Sequence, residues 1–521
     1  MMSQQPKVTK LFGGPGCGKT NTLTQFYQRY LLEGYSSEEI TLLTFRKTAA
    51  DDLIESTILY AGVGKKDLKK HVGTIHSICY RLIGYPELIT KEDCRVFIER
   101  NKWSKYFKVP DTKKESAEES VYSGDVFDLY TWLRNTCTPS EKWKKYPGLK
   151  NIKMPASKIP EFFRKYEEFK HEIGKIDYSD MLQIVIDEQI PLDTPILMID
   201  EFQDFTAQMY RVFEMWVPSC DHVLVAADPN QSIYEFWGGC PDYYYNLDAV
   251  EIVLPETFRL TEQVKNFSHR VLKQGGMTAP ETAAKKSDSN SIHRLRYDTK
   301  FPVYEEEFHL VRCNYQAHAI ALSLAKDGKI FGGLCGWTPE EINIANAIIS
   351  IRQGKAISLD QMKAILNRFP AKILGLKGSK TEFINELEKI YTPQLQTGTG
   401  ILNAKILDIL SSRNPTKGML RDGELFKAKI NGIKNRKMLI ALKEVNNRLV
   451  LTIHGAKGLE AKAVFLHTAI TSRIQKALLI PGNESQAEAR VWYVGVTRAK
   501  EVLYIVTDAG PTYRLPEVSL Y

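Results

Sequence analysis

The segment Gly13-Gly-Pro-Gly-Cys-Gly-Lys-Thr20, close to the N-terminus, constrains more than any other feature what this chain can fold into. An apolar run at 8–12 precedes it and predicts a strand, and 21–32 follows it and predicts a helix. A glycine-rich turn in that setting lets backbone N–H groups point inward around phosphate oxygens, and the helix N-terminus adds the positive end of its dipole. The segment therefore predicts a phosphate-binding loop in an α/β domain.

This loop supplies the first candidate site residues. We expect Lys19 to reach the outer phosphates of a nucleotide and the hydroxyl of Thr20 to bind Mg²⁺. The residues predicted to bind the nucleotide here are Gly13, Gly14, Pro15, Gly16, Cys17, Gly18, Lys19, Thr20 and Asn21.

Two further apolar runs end in acidic residues. The run at 196–199 leads into Asp200 and Glu201, and a second run at 222–226 leads into Asp228. Ligands bind at the carboxyl ends of parallel strands, so these residues belong at the same edge of a sheet as the loop. We predict that Asp200 holds the Mg²⁺ shell and that Glu201 orients and deprotonates the attacking water of an ATP hydrolysis reaction.

Length and composition exclude several classes of protein. A chain of 521 residues predicts three or four domains, and 43% hydrophobic with 25% charged residues is typical of a globular protein. No apolar run reaches the 18 or so residues of a membrane helix, and the polar residues before the first strand lead us to expect no signal peptide. The eight cysteines contain no C-x-x-C pair, which predicts reduced thiols in a cytoplasmic, non-secreted protein without a zinc site. Within the cytoplasm, a nucleoid-associated, viral or plasmid context in a host cell is expected.

The positive charge is concentrated in one stretch. The net charge is +8, yet residues 341–440 alone contain 17 Lys and Arg against 8 Asp and Glu. A basic module on a near-neutral body indicates contact with a polyanion, and a solvated lysine-rich surface explains the excess equally well.

The pattern along the chain predicts an interrupted α/β architecture. Residues 90–175 are rich in Lys, Glu and aromatics, which favours helices, and 278–291 are polar and predict a loop. The tail at 509–521 is expected to be disordered, with a partner-binding peptide as the alternative. The chain is expected to end too soon after 500 for a fused nuclease. The predicted domains are 1–90 with 176–250, a helical insertion at 91–175, 251–333 with 445–521, and a basic insertion at 334–444.

Seven segments, in this order, carry a family resemblance. They resemble the motifs of the UvrD/Rep-like superfamily 1 DNA helicases from motif Ia to motif VI, and the phosphate loop precedes all of them in the chain. The segments are Thr44-Phe45-Arg-Lys-Thr-Ala-Ala50, Gly73-Thr-Ile-His76-Ser77, Asp200-Glu-Phe-Gln-Asp204, Asp228-Pro-Asn-Gln231-Ser-Ile-Tyr234-Glu-Phe236, Glu256-Thr-Phe258-Arg259, Thr452-Ile-His454-Gly-Ala-Lys457-Gly-Leu-Glu460 and Val494-Gly-Val-Thr-Arg498-Ala-Lys500.

The resemblance implies a fold and a role for each matched residue. The fold is α/β, with two RecA-like parallel-sheet motor domains, each with a largely helical insertion. Arg259 and Arg498 match two arginine fingers from the second domain, and Gln231 matches a γ-phosphate sensor. Glu460 matches a ribose contact, and Phe258 stands where an aromatic ring stacks on adenine. The matched positions on the single-stranded DNA track are Phe45, His76, Tyr234, Phe236 and His454, with Thr74, Lys457 and Arg312 as weaker candidates for phosphate contact or domain coupling.

The chain departs from the family pattern at two places. The family has a glutamine motif upstream of the phosphate loop that reads adenine, and only twelve residues precede Gly13 here. Acceptance of other nucleoside triphosphates is therefore expected. Motif III of the family continues with an aromatic residue, Arg, Gly and Ala, whereas this chain has Phe236, Trp237, Gly238 and Gly239. Loss of that arginine predicts weaker coupling between hydrolysis and DNA.

These expectations lead to one principal hypothesis and three alternatives. The principal hypothesis is an ATP- and Mg²⁺-dependent DNA helicase that moves on single-stranded DNA, with the 3′→5′ polarity implied by the resemblance, and acts at junctions with duplex DNA contacted by the basic insertion. The alternatives are a translocase that displaces proteins, a DNA-binding or loading factor that uses ATP as a timer, and an enzyme that acts on RNA. No membrane partner is expected.

Overall fold

A computed structural model describes most of the chain. The described residues are 7–45, 70–107, 126–287, 290–374, 379–390, 409–412, 414–417, 423–433, 447–478 and 483–517, with the single positions 51, 54, 55, 57, 58, 64, 68 and 419. By compactness the chain divides into two units. The first comprises Met1–Leu260, Gly275–Lys286 and Gln486–Arg490, and the second comprises Thr261–Gln274, Ser287–Ser485 and Val491–Tyr521.

The first unit is built on a parallel sheet. Its six described strands lie in the order β3-β2-β4-β5-β1-β6, and each neighbouring pair is parallel. Successive side chains of a strand point to opposite faces. Leu42 and Met198 therefore enter the core on one face, while Leu43 and Ile199 enter the core on the other. The strands are β1 (Lys7–Gly13), β2 (Ile40–Thr44), β3 (Val72–Thr74), β4 (Ile196–Ile199), β5 (His222–Ala227) and β6 (Val250–Leu254).

Helices cover both faces of this sheet, as the apolar strands require. The predicted strand–loop–helix setting of the phosphate loop is confirmed, because β1 ends at Gly13 and α1 begins at Lys19. The helices of the sheet domain are α1 (Lys19–Leu32), α2 (Ile75–Leu82), α6 (Tyr178–Asp187), α7 (Ala207–Trp216) and α8 (Asp242–Tyr245).

A helical insertion interrupts the first sheet between α2 and α6. Its described helices are α3 (Lys91–Arg100), α4 (Val126–Asn135) and α5 (Ile159–Ile173), joined by short 3₁₀ turns. The chain enters and leaves it at one point, where Leu88 and Ile176 form a parallel bridge. Its core is aromatic, with Phe97 and Phe162 among the residues that are almost fully buried.

Two predictions about the middle of the chain are wrong. Residues 251–254 were placed in the second domain, but β6 pairs with β1 and extends the first sheet. The segment 278–291 was expected to be a loop, but β8 (Ala283–Lys286) pairs with β7 (Glu256–Thr261). The physical reason is the same for both: the strand with which a segment pairs is distant in the sequence, so the local pattern does not identify the partner.

The second unit contains another parallel sheet. Its six described strands lie in the order β11-β12-β10-β13-β14-β9, and all neighbouring pairs are parallel. The predicted α/β class with two parallel sheets is therefore confirmed. The strands are β9 (Ile292–Arg296), β10 (Glu307–Val311), β11 (Gly332–Gly333), β12 (Arg448–Thr452), β13 (Ala461–His467) and β14 (Ala499–Thr507). The helices outside the basic insertion are α9 (Glu262–Gln274), α10 (Asn314–Lys326), α16 (Ser472–Ala477) and α17 (Asn483–Val496).

The described part of the basic insertion is helical and has its own core. Its helices are α11 (Pro339–Arg352), α12 (Leu359–Arg368), α13 (Ala371–Leu374), α14 (Lys380–Ile390) and α15 (Glu424–Gly432). Ile344, Ile365 and Phe426 are among the buried residues that pack together there. This module thus has a core of its own, and Leu425 and Ala428 of α15 also pack against the hydrophobic cluster beside the second sheet.

Residues 509–517, the part of the C-terminal segment that the structure describes, pack against the rest of the second unit, so the expectation of disorder is wrong for them. Tyr513 stacks on Trp492 with ring centroids 4.8 Å apart, and the carbonyl of Arg514 accepts a hydrogen bond from Gln274. Burial of the aromatic ring of Tyr513 stabilises the packing of this tail. No helix among the described residues is long and apolar enough to cross a membrane.

A buried lysine joins the helical insertion to the first sheet domain, and its removal should destabilise the protein. Lys170 on α5 is 4% exposed, and its ammonium donates to the carboxylates of Asp177 and Asp180 at 3.1 and 2.6 Å. We expect Lys170→Ala to lower the free energy of unfolding by about 3 kcal/mol, because Asp177 and Asp180, which are 16% and 14% exposed, lose this ammonium and Arg134 remains beside Asp180 alone. Urea denaturation measures this.

Arg164→Ala is the control for Lys170→Ala. Arg164 lies on the same helix and pairs with Glu168, but both side chains are 60% exposed. We expect a loss of about 0.5 kcal/mol or less. Equal losses in the two variants would contradict a stabilising role for the buried cluster.

Candidate ATP site and DNA track

The phosphate loop folds around the ammonium of Lys19. Lys19 is buried, and its Nζ donates to the carbonyls of Gly13 at 2.8 Å and Gly14 at 3.2 Å. Gly16 and Gly18 have φ values of +72° and +80°, a backbone conformation that glycine adopts at little cost. The glycines therefore allow the tight turn that aims the amides of the loop and the first turn of α1 at one point.

Thr20 and Asp200 come together at the edge of the sheet. The Oγ1 of Thr20 donates to Oδ2 of Asp200 at 2.6 Å, and Asp200 is 6% exposed. Burial, and then the neighbouring charge of Glu201, raise the pKa of Asp200 to about 6. A hydroxyl beside a buried carboxylate is an oxygen donor set that suits Mg²⁺, and a bound cation would favour the charged carboxylate. These two residues therefore fit the metal that the sequence predicts.

Glu201 occupies a strained backbone position at the end of β4. Its φ is +57°, which is uncommon for a residue with a side chain, and its N–H donates to Oδ1 of Asp200 at 2.9 Å. Strained residues of this kind are concentrated at functional sites. The Oε2 of Glu201 accepts a hydrogen bond from the side-chain amide of Gln203.

The next strand of the sheet carries a second buried carboxylate. Asp228 follows β5 and is fully buried, which raises its pKa, while the charge of Lys19 opposes that shift. Its carboxylate accepts from Nε2 of Gln231 at 2.8 Å and from the N–H of Asn230 at 3.1 Å. Gln231, the predicted γ-phosphate sensor, is thus held beside Lys19 and Glu201 at one edge of the sheet.

The strand β7 lies directly against the phosphate loop. Thr257 Oγ1 donates to the carbonyl of Pro15 at 2.7 Å, and the N–H of Phe258 donates to the carbonyl of Gly16 at 3.0 Å. A Cβ added to Gly16 would lie 2.3 Å from Cβ of Arg259. The candidates Phe258 and Arg259 are therefore placed at the loop, and the ring of Phe258 is 58% exposed.

The position of Arg259 corrects one part of the sequence analysis. Arg259 was expected to come from the second domain, but it belongs to the first unit, which also contains the phosphate loop. The reason is that β6 extends the first sheet beside β1, so the chain that follows it passes over the loop. Its role as an arginine finger stays a prediction.

Three of the predicted DNA-contacting aromatics form a cluster. Phe45 and Tyr234 stack with centroids 5.3 Å apart at an interplanar angle of 27°, and Tyr234 lies 6.2 Å from Phe236. Phe236 is 52% exposed. Residues 46–50 of the first matched segment lie outside the described residues. The cluster presents partly exposed rings, a surface on which bases of any identity stack.

His76 lies in a different environment from these rings. It is in the first turn of α2, edge-on to Tyr178 at 6.2 Å, and desolvation lowers its pKa to about 4, with Asp177 opposing the shift. The imidazole is therefore uncharged at neutral pH and would contact DNA without adding a positive charge. The hydroxyl of Thr74, a weaker candidate, accepts from Ser77 N–H at 3.2 Å and caps this helix.

The second unit holds the remaining candidates. Arg498 is 1% exposed, and its guanidinium donates to the carbonyls of Val494 at 3.0 Å and Leu459 at 3.3 Å. Glu460 is exposed and lies 4.0 Å from Lys500. These contacts bring the two last matched segments together. Within the same unit His454 and Arg312 are half-buried and Lys457 is buried.

Trp237, which stands where the family has arginine, is tied to the helical insertion. Its carbonyl accepts from Nδ2 of Asn135 at 3.0 Å, and its N–H donates to the carbonyl of Tyr234 at 2.9 Å. Gly238 follows with a φ of +99°, and a Cβ there would lie 2.9 Å from Cγ2 of Thr136. The segment after Phe236 is therefore anchored through its backbone to the end of α4.

Two residues of this site, Gln203 and Thr257, lie inside matched segments but have no role predicted from the sequence, although each contacts an assigned residue. Asp228 lies at the sheet edge where its place after an apolar run puts it, and its contacts with Gln231 and Asn230 give it a role that the sequence did not predict. The contacts of Gln203 and Thr257 depend on partners far away in the sequence.

Comparison with known proteins gives the family. Residues 2–249 match the UvrD/REP helicase N-terminal domain, and residues 426–509 match the UvrD-like helicase C-terminal domain, together more than half of the chain. The chain belongs to the UvrD/REP helicase family. Its two parallel sheets are accordingly RecA-like domains of the phosphate-loop type.

Curated relatives are similar over most of their length. A probable DNA helicase II homolog of Mycoplasma capricolum is 23% identical over 97% of this chain and 82% of its own. The ATP-dependent DNA helicase UvrD2 of Mycobacterium bovis is 23% identical over 94% of this chain and 75% of its own. The ATP-dependent DNA helicase PcrA of Staphylococcus aureus is 20% identical over 97% and 83%. This UvrD/REP-family chain is an ATP-dependent DNA helicase.

A methyl group at Gly16 should disable the ATP site. Alanine there is strained at a φ of +72° and collides with Arg259 at 2.3 Å, so either the loop or β7 must move. Because misplacement by about 1 Å can cost about 10²-fold in rate, we expect Gly16→Ala to lower ATP hydrolysis by about that factor. A coupled ATPase assay measures this.

Gly34→Ala is the control for Gly16→Ala. Gly34 also has a positive φ, +102°, but a Cβ there meets nothing within 4 Å. We expect near-normal hydrolysis in this variant. A normal rate in Gly16→Ala would show that the packing of Arg259 on the loop is dispensable.

Proposed function

We propose that this helicase translocates on single-stranded DNA with 3′→5′ polarity, and that ATP hydrolysis at the site described above drives duplex unwinding at junctions. Matched segments around the phosphate loop, Asp200 and Asp228 support ATP use. The polarity is a proposal based on family membership.

One observation carries the proposal. The segment 228–236 contributes Asp228 and Gln231 to the ATP site and, three residues later, Tyr234 to the aromatic cluster with Phe45. The ATP site and the candidate DNA track are therefore joined by a short stretch of one chain. Any shift of Gln231 with the state of the nucleotide would move Tyr234, which is what a motor on single-stranded DNA requires.

Each step of hydrolysis has a candidate residue. Lys19 and the loop amides bind the phosphates, and Thr20 and Asp200 would hold Mg²⁺, which supplies charge neutralisation of the phosphate oxygens. Glu201 orients and deprotonates the water. Arg259, at the loop, stabilises the charge on the transferring group, and Arg498 is proposed as the second arginine finger.

The remaining contacts are proposed for the nucleoside and the DNA. Phe258 offers an exposed ring for the base and Glu460 an exposed carboxylate for the ribose. Phe45, His76, Tyr234, Phe236 and His454 contact single-stranded DNA. The described helices of the basic insertion contact the duplex ahead of the junction.

Strand displacement on partial duplexes tests the proposal. Substrates carry either a 3′ or a 5′ single-stranded tail, and we expect unwinding only from the 3′ tail in the presence of ATP. Lys19→Ala and Glu201→Gln should both abolish it, because they remove the phosphate contact and the base.

The other outcomes separate the alternatives. DNA-stimulated hydrolysis without displacement would favour a protein-displacing translocase, a candidate that Trp237 in place of arginine supports, or an ATP-timed loading factor. Unwinding from the 5′ tail would refute the polarity. Stronger stimulation of ATP hydrolysis by RNA than by DNA would refute the proposal that DNA is the substrate.

Loss of the Tyr234 ring should weaken binding to single strands. Base stacking on an aromatic side chain is worth ~1–3 kcal/mol, so we expect Tyr234→Ala to raise the Kd for oligo-dT by about 5- to 150-fold. Fluorescence anisotropy measures this. Tyr85→Ala is the control, since Tyr85 is 61% exposed and packs edge-on against Tyr80 outside the cluster. Equal effects in both variants would contradict a DNA track at Tyr234.

A further inference from the structure

Gln203 is a buried amide between the two acidic segments of the ATP site. It is fully buried, and it lies one turn after β4, two residues beyond Glu201. Its side chain uses both ends. Nε2 donates to the carboxylate of Glu201, and Oε1 accepts from the N–H of Asp228 at 3.1 Å.

The chemistry of the two partners leaves one orientation for this amide. A carboxylate accepts hydrogen bonds and a backbone N–H donates them, so the NH₂ end faces Glu201 and the oxygen faces Asp228. The carbonyl of Gln203 also accepts from the Oγ of Ser232 at 3.1 Å. Gln203 therefore holds the segment 228–232 at both ends while one of its N–H groups contacts Glu201.

We propose that Gln203 is a positioning residue that orients the carboxylate of Glu201 for hydrolysis and links it to the segment that carries Gln231 and Tyr234. This inference rests on the proposed role of Glu201 as the base. A movement of the segment when DNA binds at Tyr234 would reach Glu201 through this amide. Gln203 would thus contribute to stimulation of hydrolysis by DNA.

Gln203→Leu removes both side-chain hydrogen bonds with little change in volume. Partners that orient a reacting group typically contribute about 10- to 100-fold, so we expect kcat with single-stranded DNA to fall by about that factor. The KM for ATP should not change, because Gln203 contacts neither Lys19 nor the loop in the described structure, and loss of an interaction made in the transition state lowers kcat. The ratio of the rates with and without DNA should fall toward one.

Gln208→Leu is the matched control. Gln208 is also fully buried in the first unit, and its Nε2 donates to the carbonyl of Ser179 at 3.0 Å and to Gln183 at 3.2 Å, away from the ATP site. It should lose comparable stability and keep both kcat and the DNA stimulation. Gln203→Glu is the second variant. It keeps an acceptor for Asp228 N–H but loses the donor to Glu201, and kcat should fall as in Gln203→Leu.

The outcomes are distinguishable when Glu201→Gln is assayed beside them. Equal kcat and DNA stimulation in Gln203→Leu and Gln208→Leu, with Glu201→Gln inactive, would overturn the inference and leave the proposed function intact. A wild-type kcat in Gln203→Glu would overturn it as well. Normal ATP hydrolysis in Glu201→Gln would refute the role of Glu201 as the base, and the inference about Gln203 would fall with it.

Discussion

Two buried carboxylates at neighbouring strand ends set the arrangement of the ATP site. Asp200 is 6% exposed and Asp228 is fully buried, and a buried charge without partners is costly by several kcal/mol. Their partners are the hydroxyl of Thr20 and the amide of Gln231, with two backbone N–H groups in addition. Because these partners lie just after three different strands, with Thr20 in the first turn of α1, satisfying the two carboxylates fixes the three segments that follow those strands.

Local pattern was sufficient to predict the parts of the fold that place those loops. The apolar runs at 8–12, 196–199 and 222–226 are strands because both faces of a parallel sheet are buried. The phosphate loop and the acidic residues that follow these strands meet because parallel strands end at the same edge. The glycines at 16 and 18 marked the turn. These features depend on residues within one or two turns of each other, and sequence reading captures such contacts well.

The contacts that sequence reading missed join distant residues. Thr257 and Pro15 are 242 residues apart. The polar segment 278–291 contains no local pattern that predicts the strand β8. The Thr257–Pro15 contact and the strand β8 both depend on the pairing of β6 with β1 in the first sheet. The side chains of β6 are largely exposed, and its local sequence does not specify β1 as the partner. The pairing of β6 with β1 also places Arg259 in the first unit. A single strand pairing therefore accounts for the domain boundary and for the position of the arginine.

The replacement of the family's motif III arginine by Trp237 acts on a segment that is held mainly through its backbone. The backbone carbonyl of Tyr234 accepts hydrogen bonds from the N–H groups of Trp237 and Gly239, and the side-chain amide of Asn135 donates to the carbonyl of Trp237. At the start of the segment, Oε1 of Gln203 accepts from the N–H of Asp228. Backbone anchors survive a change of side chain. A segment fixed at both ends transmits a displacement of Gln231 to Tyr234 because it has little slack in which to absorb it. On the proposed mechanism, coupling in this chain therefore depends on Gln203 and Asn135 more than on the residue at 237.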